Sequence, residues 1–326
     1  MAEQIMKNIY RLPVTLEGSP LKELNTYLIC GGKRNLLIDT GYRTESCRKA
    51  LFDQLALFGL GPGDVDVLLT HLHADHSGLA TEATGSTGTI YISKQDSSIF
   101  GSEYAWQQYR ARSDERMRRE GFPQELIAAM SYVSPSRSAA APRNVPHVCL
   151  QDGEVLQAGE YTLQCVLTPG HTPGHLCFWM EEQKTMFLGD HVLFDISPNI
   201  TYWDGFEDAL GNYLQSLETI RAYDVQTALP AHRGSGQMHQ RIDGLIAHHD
   251  RRLQETVAIV HENPGINAYD LAGKMRWRIR ARNWQEFPTM QKWFAVGETI
   301  AHLDYLVLRG QLQRREINGM AAYYAE

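Results

Sequence analysis

The run Thr70-His71-Leu72-His73-Ala74-Asp75-His76 limits what this chain can fold into more than any other stretch. It follows directly on Val65–Leu69, a short apolar run that reads as a buried strand. Where a strand ends and the chain turns, alternate residues point the same way. His71 and His73 then converge on one ion. Asp75 and His76, one step into the turn, face a second. Imidazole nitrogens and carboxylate oxygens suit Zn²⁺ at about 2.0–2.2 Å. A lone histidine is usually a surface residue or a satisfied core residue. Three histidines and an aspartate packed into positions 71–76 point to metal instead.

Three later segments repeat the pattern of a strand delivering one ligand-type side chain. Thr168-Pro169-Gly170-His171-Thr172-Pro173-Gly174-His175 follows a strand, and its glycines and prolines hold a tight loop. Thr185-Met186-Phe187-Leu188-Gly189-Asp190 is an apolar strand ending in Gly-Asp. Thr227-Ala228-Leu229-Pro230-Ala231-His232 is a short strand ending in Pro-x-His. Each is weak alone; in this order after the first motif they are strong.

The remaining pattern supplies a scaffold. Strands are expected at Tyr10–Val14, Asn25–Cys30, Asn35–Asp39, Thr89–Ile92, Glu154–Leu156, Tyr161–Thr168 and Leu176–Met180. Helices are expected at Glu45–Phe58 and Glu207–Tyr223, and from Lys94 to Tyr132 with a break at Gly121-Phe122-Pro123. Few strands are joined by regular crossovers, so a layered α/β sandwich fits better than a doubly wound sheet. No Gly-x-Gly-x-x-Gly or phosphate-loop motif is present, which argues against a nucleotide cofactor. No Gly-x-Ser-x-Gly elbow offers a serine nucleophile.

Together these motifs resemble the metallo-β-lactamase superfamily over about residues 8–250. The resemblance implies a four-layer αββα sandwich with the metal site along one edge of two sheets. By motif position, His71, His73 and His171 would hold the first metal. Asp75, His76 and His232 would hold the second, and Asp190 would bridge them. Asp39, in Leu36-Leu37-Ile38-Asp39-Thr40-Gly41, matches the first motif of the family and would orient a ligand; a plain turn-forming aspartate is the competing reading. His175 is either a support for the site or structural, and His191 faces the site or away from it. Zinc β-lactamases that use a cysteine ligand do not match, because no cysteine lies near Asp190. β-Lactam hydrolysis is therefore not expected.

Two divalent ions about 3.5–4 Å apart would ionise a shared water as nucleophile and polarise the substrate oxygen. Asp75 and Asp190 are the catalytic candidates. Zinc is the default, and two carboxylate ligands also suit iron or manganese. Thr168–His175 and Gly189-Asp190 are similar to the glyoxalase II branch, which implies a small acyl thioester or ester substrate. The basic glutathione-binding residues of that branch have no counterpart here. Phosphodiester hydrolysis of RNA is the alternative.

Two further regions qualify the picture. Residues 94–146 exceed a plain connection and suggest a helical insertion acting as a lid. The loop Phe194–Trp203, tethered to Asp190, is a candidate pocket wall. A boundary is expected near residue 250, because residues 251–326 hold 11 basic and 8 acidic side chains while the whole chain is at −7. That unit, with an Asn318-Gly319 hairpin signal, resembles a winged helix. The superfamily includes proteins that combine both units, one of them an endoribonuclease. Lys274–Arg282 is basic with Trp277 interleaved. A net charge of +3 is weak for nucleic-acid binding, so pocket closure or homodimer contact is favoured. No run approaches the about 20 apolar residues of a membrane span. Five cysteines without a Cys-x-x-Cys suit a reducing cytoplasm.

Overall fold

The computed structural model describes residues 2–134, 139–278 and 281–325. Seven strands form the first sheet in chain order: β1 (Glu3–Met6), β2 (Ile9–Thr15), β3 (Glu23–Ile29), β4 (Asn35–Ile38), β5 (Val65–Leu68), β6 (Ile90–Ser93) and β7 (Val148–Leu150). Pairing is antiparallel up to β4 and parallel beyond it. The second sheet holds β8 (Val155–Ala158), β9 (Tyr161–Leu167), β10 (Leu176–Met180), β11 (Thr185–Gly189) and β12 (Thr227–Pro230), in the order β12-β11-β10-β9-β8. The β11–β12 pair is parallel.

Alternation along the central strands explains the layering. Successive side chains leave a strand on opposite faces. Leu36, Ile38 and Leu68 face Leu176, Phe178, Met180 and Phe187 of the second sheet. Leu37, Val65 and Val67 face the helix Glu45–Ala56 through Leu51 and Leu55. Cys177, Trp179, Met186 and Leu188 leave the far side of the second sheet. They pack on the helices Ala209–Arg221 and Met238–Glu262. The result is helix, sheet, sheet, helix. Both faces of these strands are covered, which is why they read as continuous apolar runs.

The insertion is helical, with helices at Lys94–Phe100, Glu103–Arg119 and Gln124–Val133. Residues 135–138 of the 94–146 insertion lie outside the described residues, as do two residues of the basic Lys274–Arg282 segment. The C-terminal unit adds the helices Ala268–Lys274 and Thr289–Leu308 and the hairpin β13 (Leu312–Ile317) and β14 (Met320–Ala325). The hairpin turns at Asn318-Gly319, both at positive φ, as the Asn-Gly signal implies. Where the charge shift places a boundary, near residue 250, Met238–Glu262 runs as one unbroken 25-residue helix. Its apolar stripe serves both units. Ile242 and Leu245 pack on the second sheet, and Val260 packs in the C-terminal cluster.

Candidate metal centre

The turns after β4, β5, β9, β11 and β12 meet at one end of the two sheets. Asp39 follows β4 with φ at 60°. Its carboxylate accepts the Thr70 N–H at 2.9 Å, the Thr70 hydroxyl at 2.8 Å and the His76 Nδ1–H at 2.7 Å. Both readings of Asp39 are therefore met: it takes a turn conformation, and it commits Nδ1 of His76 so that Nε2 faces inward. The other rings are set the same way. His71 Nδ1 lies 3.0 Å from Thr70 Oγ1, and its Nε2 lies 2.9 Å from His73 Nδ1. His171 Nδ1–H donates to the Asn199 carbonyl at 2.9 Å. His232 Nδ1–H donates to the Glu23 carbonyl at 2.7 Å.

Asp190 stands among the rings. Its Oδ2 lies 3.6 Å from Nε2 of both His76 and His171, and its Oδ1 lies 3.4 Å from His232 Nε2. Asp75 Oδ2 lies 3.8 Å from His76 Nε2 and 3.5 Å from His232 Nε2. His175 explains how Asp190 is held there. Its Nδ1–H donates to Thr168 Oγ1 at 2.8 Å, and its Nε2 accepts the Asp190 backbone N–H at 3.1 Å. Gly189 makes this approach feasible. It has φ at 50°, and a Cβ there would lie 2.5 Å from His175 Nε2.

Three groups of donors result: His71, His73 and His171; His71, His76 and Asp190; Asp75, His76 and His232. Within each group the donor atoms lie within 4.8 Å of one another. His76 Nε2, His171 Nε2, His232 Nε2 and Asp190 Oδ1 are buried without a hydrogen-bond partner among the described residues. One such atom costs about 1–3 kcal/mol. Four converging on one place fit a site for cations. His and Asp groups here are able to bind metal ions.

Electrostatics divide the rings. Burial holds His71 well below the usual histidine range, His73 at about 3, and His171 below its ordinary value. These three are neutral and offer lone pairs, the form a metal requires. Burial also opposes charge on His76 and His232, but neighbouring carboxylates outweigh it and raise both. Burial would raise Asp75, yet His76 and His232 bring it to about 2. Asp190 lies well below the usual carboxylate range because His232 and His76 outweigh its burial.

The sequence model of the metallo-beta-lactamase superfamily matches residues 23–232. The chain belongs to this superfamily. A model of the metallo-beta-lactamase-like C-terminal domain matches residues 284–325. Among solved structures, the chain is similar to a metallo-beta-lactamase family protein from Thermus thermophilus, with 29% identity, a TM-score of 0.85, and 99% of this chain and 100% of that one covered. It is also similar to a beta-lactamase domain protein from Burkholderia ambifaria, with 26% identity, a TM-score of 0.81, and 100% and 93% covered. Among curated proteins, lactamase-like protein adaB of Aspergillus niger is 27% identical over 269 residues, covering 80% of this chain and 66% of that protein. The chain spans 60–66% of the length of the first fungal lactamase-like relatives it matches. No described helix is long and apolar enough to cross a membrane.

All seven superfamily ligand positions read from sequence, His71, His73, Asp75, His76, His171, Asp190 and His232, stand in the converging groups. His191 does not: it is buried behind Asp190, with its ring against His175 and Tyr213. One contributor escaped the sequence reading and a second was read only in part. Asp96 is buried and accepts the Leu72 N–H at 3.0 Å, the Thr172 hydroxyl at 2.8 Å and the Gly174 N–H at 2.7 Å. It clamps the first histidine loop to the second, and burial raises it to about 6. In sequence, Ser93-Lys94-Gln95-Asp96 shows only a helix start, which it also is. Trp203 was read only as pocket wall. Its indole N–H donates to the His171 carbonyl at 3.0 Å, and its ring stacks on His73 with centroids 5.8 Å apart. Tyr109 of the insertion stacks on the other side of Trp203, with centroids 5.3 Å apart.

Proposed function

We propose that this chain is a hydrolase holding two divalent ions and acting on the carbonyl of a small acyl thioester or ester. The observation that carries this reading is the convergence of four unpartnered buried donor atoms, with the other ring nitrogen of each histidine already committed. His71, His73 and His171 would hold one ion, and Asp75, His76 and His232 the other. Asp190, whose Oδ2 lies near both His171 and His76 and whose Oδ1 lies near His232, would serve both. Zinc suits this donor set, and iron or manganese also fit. Bound ions of this kind supply Lewis acidity and a water ionised near neutral pH.

The chain's own residues have distinct tasks. Asp75 stays ionised near neutral pH and can accept a hydrogen bond from an attacking water. Asp39, Thr70 and His175 fix ring and backbone orientation. The Trp106–Tyr109–Trp203 stack carries the insertion to the edge of His73 and would act as the hinge side of a lid. All five cysteines are unpaired, which supports a reducing compartment.

The resemblance of Thr168–His175 and Gly189-Asp190 to the glyoxalase II branch supports a carbonyl substrate over RNA. The C-terminal unit adds to this. Helix Thr289–Leu308, which would be the reading helix of a winged helix, buries Lys292, Ala295, Val296, Gly297, Thr299 and Ile300 within the protein, so much of its surface is already used for packing. Trp277 is covered by the Arg252 guanidinium at 4.1 Å and donates to the Ala272 carbonyl at 2.8 Å. It is not open for base stacking.

Initial rates on an acyl-CoA, an acyl-glutathione, an aryl ester, a bis-aryl phosphodiester and a short single-stranded RNA test the proposal. Thioester or ester turnover that is lost in Asp190→Ala is expected. Phosphodiester or RNA turnover with silent thioesters would overturn it.

A further inference from the structure

The loop that follows Asp190 meets the C-terminal unit at Asn199, and the contacts run straight to a candidate ligand. Asn199 uses both ends. Its carbonyl accepts the His171 Nδ1–H at 2.9 Å, and its side-chain amide donates to Glu298 Oε2 at 3.2 Å and to the Phe294 carbonyl at 3.4 Å. Further along, Tyr202 N–H donates to the Gly297 carbonyl at 3.4 Å. Gly297 allows this contact: a Cβ there would lie 2.3 Å from Thr201 Oγ1. The Tyr202 hydroxyl is held on the opposite side by the Ser113 carbonyl at 2.8 Å. The segment 199–203 is thus clamped between the insertion and helix Thr289–Leu308. Glu298 itself is largely covered, with Arg252 Nε 3.6 Å from its Oε1.

We infer that Glu298 is a positioning residue for His171: through Asn199, the C-terminal helix fixes the ring that presents Nε2 to the first ion. A histidine ligand keeps its direction only while its other nitrogen is tied, and loss of such a tie typically costs about 10–100-fold in metal affinity. The Asn199 carbonyl is held in place by its side chain's grip on Glu298 and the Phe294 carbonyl. The C-terminal unit, on this inference, sets the affinity of one ion and leaves the other untouched. The inference rests on the two-ion reading proposed above.

The test is a zinc titration against a chromogenic chelator on the full chain, with each site isolated in turn. In a His232→Ala background, adding Glu298→Ala should weaken the ion held by His71, His73 and His171 by about 10–100-fold. In a His73→Ala background, which leaves the ion held by Asp75, His76 and His232, the change should stay within about threefold. Glu298→Gln, whose carbonyl still accepts from Asn199, should restore the first value. Equal weakening in both backgrounds, no weakening in either, or no rescue by Gln would each overturn the inference. Failure of the wild type to bind two ions would instead sink the two-ion reading. In that case the His171 ring N–H still decides the inference: in ¹⁵N-histidine spectra of the chelator-treated chain, Glu298→Ala should speed its exchange with water. Unchanged exchange would overturn the positioning role.

Discussion

A histidine becomes a dependable ligand only when one ring nitrogen is committed elsewhere. In this chain the commitments are Asp39 for His76, the Asn199 carbonyl for His171, the Glu23 carbonyl for His232 and Thr70 for His71. The residues that converge in the candidate centre were legible in sequence because they cluster in short motifs. Most of their supports were not, because backbone carbonyls carry no side-chain signal and Asp96 acts across 24 and 78 residues of chain. Asp39→Ala leaves the His76 Nδ1–H and two Thr70 donors without their acceptor. We expect about 10–100-fold weaker binding of the ion proposed for Asp75, His76 and His232, read by chelator competition; unchanged affinity would remove Asp39 from its orienting role. Asp96 gives a pH test. Burial lifts its pKa to about 6, above the unfolded value of 3.8. Its contribution to stability is therefore fully present below the unfolded value and is lost as pH rises through about 6. Asparagine does not titrate. The advantage in Tm of wild type over Asp96→Asn should shrink between about pH 4.5 and 7, by the equivalent of about 2 kcal/mol. A gap that widens with pH would mean that the folded protein favours the ionised form.

Elements were legible in proportion to their burial. Leu176–Met180 is apolar at every position and buried throughout, and it forms β10 over the span expected. β1 and β7 went unread because both are short strands at the edges of the first sheet, with exposed residues that break the pattern. The four-residue helix Ala74–Ser77 was read as a turn; it is one helical turn, and it carries Asp75 and His76. Strand ends matter more here than strand middles. At the end of β11, Gly189→Ala would push a Cβ to 2.5 Å from His175 Nε2 and 2.8 Å from Thr70 Cβ. Displacing His175 releases the Asp190 backbone. We expect a stability loss of about 1–3 kcal/mol by thermal melting, together with reduced metal content. A variant with wild-type Tm and full metal content would show that this corner has slack.

Across the whole molecule, charge composition and contact tell different stories. The shift in charge near residue 250 suggested a domain boundary, and one apolar cluster joins Met117, Phe122 and Ile127 of the insertion to Val296, Ile300 and Leu303 of the C-terminal helix. Polar contacts follow the same seam. Arg116 reaches Asp304 at 2.7 Å, and the Tyr323 hydroxyl donates to the buried Glu120 at 3.0 Å. Sequence composition reports solvent-facing charge; it says nothing of which apolar faces meet. From the sequence, removal of residues 251–326 would alter substrate preference or solubility and spare the ligands. The structure changes that expectation. A chain ending at residue 250 would cut a continuous helix and expose this cluster, and it should be insoluble or melt at least about 10 °C lower, a loss of a few kcal/mol for a domain of this size. A soluble truncation with the wild-type Tm would contradict the shared core.

The most direct test of the account is the number of divalent ions bound per chain at saturation, measured with turnover on the same samples. The account predicts two ions in the wild type. In Asp190→Ala it predicts at most one tightly held ion, with ester or thioester hydrolysis lost in step. Two ions and normal turnover in Asp190→Ala, or no tightly bound ion in an active wild type, would contradict it.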